Sequence, residues 1–241
     1  MENQTKNHCA NTLASTLDHL VVAATTLDAG VKWCKETLGV TPLPGGSHPL
    51  FGTHNRLLPL VSPSHPLVYL EIIAIDQTIP ADKALRLPRW FDLDDPTIQA
   101  QLQAEGPQLL HWVARVPDLS AALHAWAKLG INRGPMIEAS RPTPNGLLRW
   151  KISVREDGQR LFNGILPTLI EWGTDHPRKS LIGPTFSLKS LTLAHPQHDL
   201  LQRAFSAINL QHINLTSGPP EILTELVAPD GSLKTLRYLA P

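Results

Sequence analysis

Apolar and polar positions in this chain fall into short runs of strand or helix periodicity, and one phrase of such runs occurs twice. Leu109–Val116 is mostly apolar, predicts a strand, and carries one histidine, His111. Pro117 and Asp118 end that strand and supply a helix N-cap, after which Leu119, Ala122, Leu123 and Trp126 recur at helical spacing up to the stop at Gly130. The stretch Leu17–Gly39 (LDHLVVAATTLDAGVKWCKETLG) repeats the phrase with His19 in place of His111, and the two histidine-to-glycine spacings agree to within one residue. A duplicated βα unit is the reading.

The two copies also continue alike. After Gly39, residues 41–49 are crowded with Pro and Gly and read as a long turn; Phe51–Leu60 and Leu67–Ile75 read as strands, and Glu71 stands inside the apolar run of the second. After Gly130, Leu147–Val154 and Pro167–Trp172 read as strands, and Glu171 interrupts the last. Each unit thus offers a histidine on its first strand and a glutamate on its last. Residues 81–107 form a connector in which Trp90, Phe91 and Leu93 suggest packing and Ile98–Glu105 a short helix.

A weaker third copy comes next, with strand Leu188–Ala194, a helix carrying Leu200, Leu201, Ala204, Phe205 and Ile208 that stops at Asn209, and strands at His212–Thr216, Ile222–Val227 and Leu233–Leu239. Ser190 stands at the histidine position and Thr235 near the glutamate position, so this copy reads as a brace without chemistry. The expected organisation is a flexible tail over residues 1–15, a first βαβββ module over 16–80, the connector, a second module over 108–178 and a degenerate third over 185–241.

Composition narrows the class. A chain of 241 residues with 42% hydrophobic content can bury a substantial core. Lys plus Arg (21) balance Asp plus Glu (21), so no basic field is available for nucleic acid or an anionic membrane. No run of apolar residues is long enough to span a bilayer, and the first residues contain no apolar leader, so a cytoplasmic protein is expected. Cys9 and Cys34 make neither a disulfide framework nor a thiolate metal site. An exposed sheet edge leaves a homodimer open.

Two glutamates inside apolar strands are costly unless a cation or hydrogen-bond donors meet them. If the modules pair their sheets face to face, His19, Glu71, His111 and Glu171 converge, and two imidazoles with two carboxylates suit a divalent ion such as Ni, Co, Zn, Mn or Fe(II). Four such ligands on an octahedral ion leave two positions for waters or adjacent substrate oxygens. The plainer reading is that a strand histidine is hydrogen-bonded core and a strand glutamate is solvated or salt-bridged, with Arg56, Arg141 and Arg149 as candidate partners. Near the site, Gly45, Gly46 and Gly52 permit close backbone approach, and His48, His54, Asn55 and Arg56, followed by Arg141, Arg149 and Trp150, are candidates to hold an oxygen-rich or anionic substrate. Strand alternation turns Trp112 and Trp172 away from the proposed ligands toward packing, and the remaining histidines read as surface or turn residues.

The module plan, with GGSHPLFGTHNRLLPL (Gly45–Leu60), YLEII (Tyr69–Ile73) and LLRWKISVREDGQRLFNGILPTLIEWGTDHP (Leu147–Pro177), resembles the glyoxalase-like domain family of the vicinal oxygen chelate superfamily. The resemblance implies an α+β fold of repeated βαβββ modules in curved mixed sheets, two complete and the third degenerate. It also implies a metal-dependent lyase or isomerase for a small oxygenated substrate, in which Glu171 or Glu71 leaves the metal to take a proton as a metal-stabilised enediolate forms. Two alternatives stand beside it. One is a ring-cleaving dioxygenase using two histidines and one carboxylate on iron; the other is a binding protein that sequesters a small molecule, although 5% aromatic content suggests no stacking cage.

Overall fold

The computed structural model describes residues 14–79, 88–144 and 146–240. Most of the expected tail, including His8 and Cys9, lies outside the described residues, as do residue 80 of the first module and residues 81–87 of the connector. The first unit contains β1 (Thr16–Ala23), α1 (Leu27–Trp33, prolonged by a wide turn over Cys34–Leu38), β2 (Leu43–His48), β3 (Thr53–Val61) and β4 (Tyr69–Ile75). Helix α2 (Pro96–Glu105) precedes the second unit, which has β5 (Gln108–Arg115), α3 (Leu119–Ala127), β6 (Met136–Thr143), β7 (Gly146–Ser153) and β8 (Thr168–Trp172). The third has β9 (Phe186–Ala194), α4 (His198–Ala207), β10 (Asn214–Thr216), β11 (Glu221–Val227) and β12 (Leu233–Leu239).

The two strand–helix phrases form for the reasons their sequence indicates. Thr26 and Asp118 are extended N-caps whose side chains accept from the amides of Ala29 and Ala121, at 3.1 and 2.9 Å. Gly39 and Gly130 close the helical segments with φ of 79° and 76°, a conformation that favours glycine. The turn expected at residues 41–49 is instead largely strand β2, and β6 is a further strand that the hydrophobic pattern did not indicate. Both lie at edges. β2 pairs with β3 across a register break between Pro44 and Ser47, while β6 alternates only between exposed and half-buried positions, so neither shows the apolar alternation of a strand on the core.

Among the described residues the strands form one mixed sheet in the order β12-β11-β9-β3-β4-β1-β5-β8-β7-β6, with β10 beside β9 and β2 beside β3. In both full units the first strand pairs in parallel with the last, β1 with β4 and β5 with β8, and antiparallel pairing of β1 with β5 joins the units. The third unit is wired differently: β9 pairs with β10 and β11, and β12 takes the outer edge. Thr235 therefore lies opposite Glu225, not beside Ser190, whose hydroxyl donates to Glu225 at 3.0 Å.

The third unit braces the outer face of the sheet. Trp112 meets Phe205 edge-on at 5.8 Å, and Trp126 Nε1 donates to the Ala204 carbonyl at 2.8 Å. Trp112, Trp126 and Phe205 are among the largest fully buried side chains, so this packing contributes heavily to the core. The sheet curls so that its far strands β2 and β6 come into contact and enclose the opposite, inner face. Among the described residues no helix is long and apolar enough to cross a membrane.

Candidate functional site

Strand pairing determines which side chains reach the inner face. His19 pairs with Tyr69 and Val113, Val21 with Glu71 and His111, and Leu57 with Glu71, so all of these share one face. Across the second unit the same face carries Thr168, Ile170, Trp172, Trp150 and Ile152. A cavity of about 30 Å³ on this face is lined by His19, His48, Asn55, Tyr69, Glu71 and Arg141, with Trp90, Phe91, Trp150 and Trp172 as aromatic walls. The low aromatic content concealed this concentration. Trp172 is a wall of the cavity, contrary to its expected role in outer packing.

The centre of the site is two hydrogen-bonded groups of side chains, one around Asp18 and one around Glu71, that meet where His19 faces Glu71. β1 departs from regular register between Leu17 and His19, leaving Asp18 as an extra residue against β5. That bulge lets neighbouring residues act together: Asp18 Oδ1 accepts from His19 Nδ1 at 2.7 Å. Its Oδ2 accepts from Trp172 Nε1 at 2.9 Å and His176 Nε2 at 3.0 Å. Burial pushes the Asp18 carboxyl up, but the charge and hydrogen bond of His176, then those of His19, outweigh it and hold the group well below the usual carboxylate range. His176, expected at the surface, is buried.

On its other side His19 Nε2 faces Glu71 Oε2 at 3.6 Å, and Tyr69 stacks on its ring with centroids 4.6 Å apart. Burial, then the charges of Asp18 and Glu71, push the Tyr69 hydroxyl well above its ordinary pKa. Asn55 Nδ2 donates to Glu71 Oε1 at 2.5 Å, and its carbonyl accepts from the Gly46 amide at 2.7 Å. His48 stands beside Asn55, with Nε2 at 3.4 Å from Asn55 Nδ2 and Nδ1 at 3.2 Å from Thr53 Oγ1; burial, followed by the charge of Arg141, pulls its pKa down to about 3, so it is neutral at ordinary pH.

The second unit does not complete the expected metal set. His111 is on the inner face, yet both ring nitrogens are engaged: Nδ1 lies 3.1 Å from the Gly164 carbonyl, and Nε2 lies 3.0 Å from Thr168 Oγ1 and accepts from the Thr168 amide at 3.2 Å. Burial, then the charges of Arg133 and Arg160, depress its pKa well below the ordinary value. Its partner Thr168 is the positional counterpart of Glu71, because each faces the residue two after the histidine, Val113 and Val21 respectively.

Glu171 lies three positions beyond Thr168. An odd offset turns a strand residue to the other face, where Glu171 Oε2 accepts from the Leu119 amide at the start of α3 at 2.8 Å and Oε1 meets Lys151 Nζ at 2.9 Å. Among the described residues no group of three or more His, Cys, Asp or Glu side chains is arranged to hold a metal ion. His19 and Glu71 supply two donors, so the residues present do not fit the four-ligand centre, and the two-histidine, one-carboxylate iron set is likewise not assembled.

Of the other expected substrate contacts, His48 and Asn55 line the cavity. His54 and Arg56 alternate to the other face, where His54 Nδ1 is 3.8 Å from Asp76 Oδ2, and Arg149 is exposed on the outside of β7. Arg141 takes the place nearest to what was expected of them. It reaches the cavity from β6, half-buried, its pKa lowered by burial against the charges of Tyr69 and Glu71. Sequence reasoning missed Asp18, because alternation places it opposite His19, and Tyr69, which sits in the best strand without a distinguishing signal.

A model of the glyoxalase-like domain matches residues 17–208. The chain belongs to the glyoxalase-like domain family. This glyoxalase-like chain matches no curated protein sequence. Among solved structures it is similar to a hypothetical protein from Staphylococcus aureus, with a TM-score of 0.56 and 12% identity over 92% of this chain and 85% of that one. It is also similar to a Streptomyces coelicolor methylmalonyl-CoA epimerase variant in complex with 2-nitronate-propionyl-CoA (TM-score 0.37, 16% identity, 65% of this chain and 92% of that one). A methylmalonyl-CoA epimerase from Mycobacterium tuberculosis matches at TM-score 0.39 and 17% identity, over 73% of this chain and 98% of that one. At these identities the Staphylococcus aureus match shows a shared fold and nothing finer.

Proposed function

We propose that the protein is an acid–base enzyme of the isomerase or lyase type that moves a proton on carbon next to a carbonyl in a small oxygenated substrate. The observation that carries this reading is the buried Asp18–His19–Glu71 relay, with 2.7 Å between its first two groups and 3.6 Å between the last two. Glu71 accepts the proton from the carbon, and the electron pair of the broken C–H bond moves onto the carbonyl oxygen. The proton passes to His19 Nε2 and returns from there to the substrate at a neighbouring carbon or oxygen. Asp18 keeps Nδ1 protonated and offsets the positive charge that His19 gains in transit.

The cavity suits this chemistry. Its walls of Trp90, Phe91, Trp150 and Trp172 exclude water from the carbanion, and its volume admits only a compact reacting head. No step is routed through a metal, because only two donors converge. A second reading, sequestration of a small molecule without turnover, draws support from the enclosed cavity alone.

The test is solvent-deuterium incorporation, followed by NMR, into a panel of 2-oxoaldehydes, 2-hydroxyketones and 2-hydroxy acids. Wild-type protein is expected to exchange one C–H of a panel member, and Glu71→Gln to lose that exchange while retaining its melting temperature to within a few degrees. Exchange that survives in Glu71→Gln overturns the relay, and binding without exchange across the panel moves the reading to sequestration.

A further inference from the structure

Arg141 shares the cavity with Glu71, whose charge acts on it, but is not in direct contact with that carboxylate. Among the described residues its guanidinium makes no hydrogen bond and no ion pair, although it projects from β6 into a cavity whose other polar groups are nearly all engaged with one another. The opposite strand is shaped to admit it. A Cβ placed on Gly46 would lie 2.0 Å from Arg141 Nη1 and 2.7 Å from Cζ, so the guanidinium occupies the space that any side chain at position 46 would fill. Gly45 is just as closely fitted, with a Cβ there meeting Asn55 Oδ1 at 2.0 Å. The Gly45–Gly46 pair thus lets Asn55 and Arg141 stand side by side. Nearby, the indole Nε1 of Trp90, another cavity wall, is buried and has no hydrogen-bond partner.

Arg141 also stands at a boundary. It lines both the inner cavity and a larger outer recess of about 460 Å³, and Leu57 and Pro177 are likewise common to the two. The recess carries Leu43, Leu147, Leu181 and Ile182, the last 88% exposed, beside the polar side chains of Asp175, Lys179 and Ser180. A partly apolar recess with a guanidinium at its inner end complements a molecule with a tail and an anionic group.

We infer that the ligand is a carboxylate with an aliphatic tail, its anionic group paired with the Arg141 guanidinium at the neck and its tail lying in the outer recess. A planar guanidinium matches a carboxylate through two parallel N–H···O bonds, which a neutral amide or ester does not reproduce. This inference rests on the proton-transfer reading only for the identity of the site; the equilibrium it describes does not require turnover.

The experiment is quenching of tryptophan fluorescence, using the indoles of Trp90, Trp150 and Trp172 as reporters, on titration with 2-hydroxybutanoate, 2-hydroxyoctanoate, 2-hydroxyoctanamide and inorganic phosphate. Wild type is expected to bind the octanoate more tightly than its amide by about 10- to 100-fold, the usual worth of a charge-assisted pair, and more tightly than the butanoate. Arg141→Gln removes the preference for acid over amide. Gly46→Ala, which keeps the arginine but displaces it, weakens the acid in the same direction. Glu71→Gln retains the acid preference while losing deuterium exchange, so failure of the proton-transfer reading is seen separately. Equal binding of acid and amide, an Arg141→Gln protein with wild-type preference, or phosphate outcompeting the octanoate would each overturn the inference.

Discussion

Replacing Asp18 separates the energetic and chemical roles of the relay. The carboxylate is fully buried and accepts from three side chains, at 2.7 Å from His19, 2.9 Å from Trp172 and 3.0 Å from His176. Asp18→Asn preserves the shape and, with its carbonyl toward Trp172 and His176, two of the three bonds. The new NH₂ group then faces His19 Nδ1, and the ring must move its proton to Nε2, which turns the nitrogen facing Glu71 from acceptor to donor. Loss of charge assistance costs about 1.5–3 kcal/mol. At roughly 2–4 °C per kcal/mol for a chain of this size, the melting temperature falls by about 3–12 °C. Asp18→Ala strands three donors at about 1–3 kcal/mol each, so its loss is larger than that of the Asn variant.

The pH dependence of the same variant carries a sign. An unfolded aspartate titrates near about pH 4, and the native carboxyl lies well below that. The unfolded state therefore binds the proton first as pH falls, and Asp18 contributes its full stabilisation above about pH 5 and loses it progressively toward the native value. Thermal melts from pH 7 down to pH 3 should show a steeper acid limb in wild type than in Asp18→Asn. Equal melting temperatures at pH 7, or parallel acid limbs, would refute the account of the buried carboxylate as a charged triple acceptor.

Two further perturbations separate the second unit from the site. His111→Ala leaves the Thr168 amide and the Gly164 carbonyl short of a partner and opens a void, costing about 2–4 kcal/mol in urea unfolding; isothermal titration with Zn, Ni, Co or Mn should show the same weak response as wild type, whereas His19→Ala should reduce that response. Glu171→Gln loses a solvent-screened contact with Lys151 and the charge it places at the start of α3, the latter worth about 0.3–1 kcal/mol, and should leave deuterium exchange unaltered. Metal affinity lost on removing His111, or exchange lost on altering Glu171, would restore those residues to the centre.

The parts of this architecture that were legible in the sequence are those in which burial imposes a period. β1, β4 and β5 bury nearly every residue, and the Asp118 cap and the stopping glycines of the helices beside them were as expected. His19 and Glu71 stood out because polar groups inside such strands require partners, whereas His48 and Asn55 were singled out from the glycine-rich stretch ahead of an apolar strand. The place of the second glutamate was not legible, because matching modules by residue type ignored register: the pairing of Val113 with Thr168 leaves Glu171 an odd number of positions away. Asp18 was hidden by a bulge, which obeys no alternation. Arg141 was a candidate partner for the glutamates and a lesser candidate for the ligand; it lies on an edge strand with no buried position, and the curl of the sheet brings it into the cavity with Glu71.

The approach of β2 to β6 has a mechanical consequence. Ladder hydrogen bonds tie β2 to β3 and β6 to β7, but among the described residues no ladder joins β2 to β6, and Arg141 packs against the bare backbone of Gly46 where the two edges meet. The cup is thus a spring fastened along its length and merely touching at its lips. An anion that engages the guanidinium pulls on the contact that sets their spacing. Occupancy and the gap between the lips become one coordinate, so a spin-label pair placed on β2 and β6 would measure ligand binding as a distance.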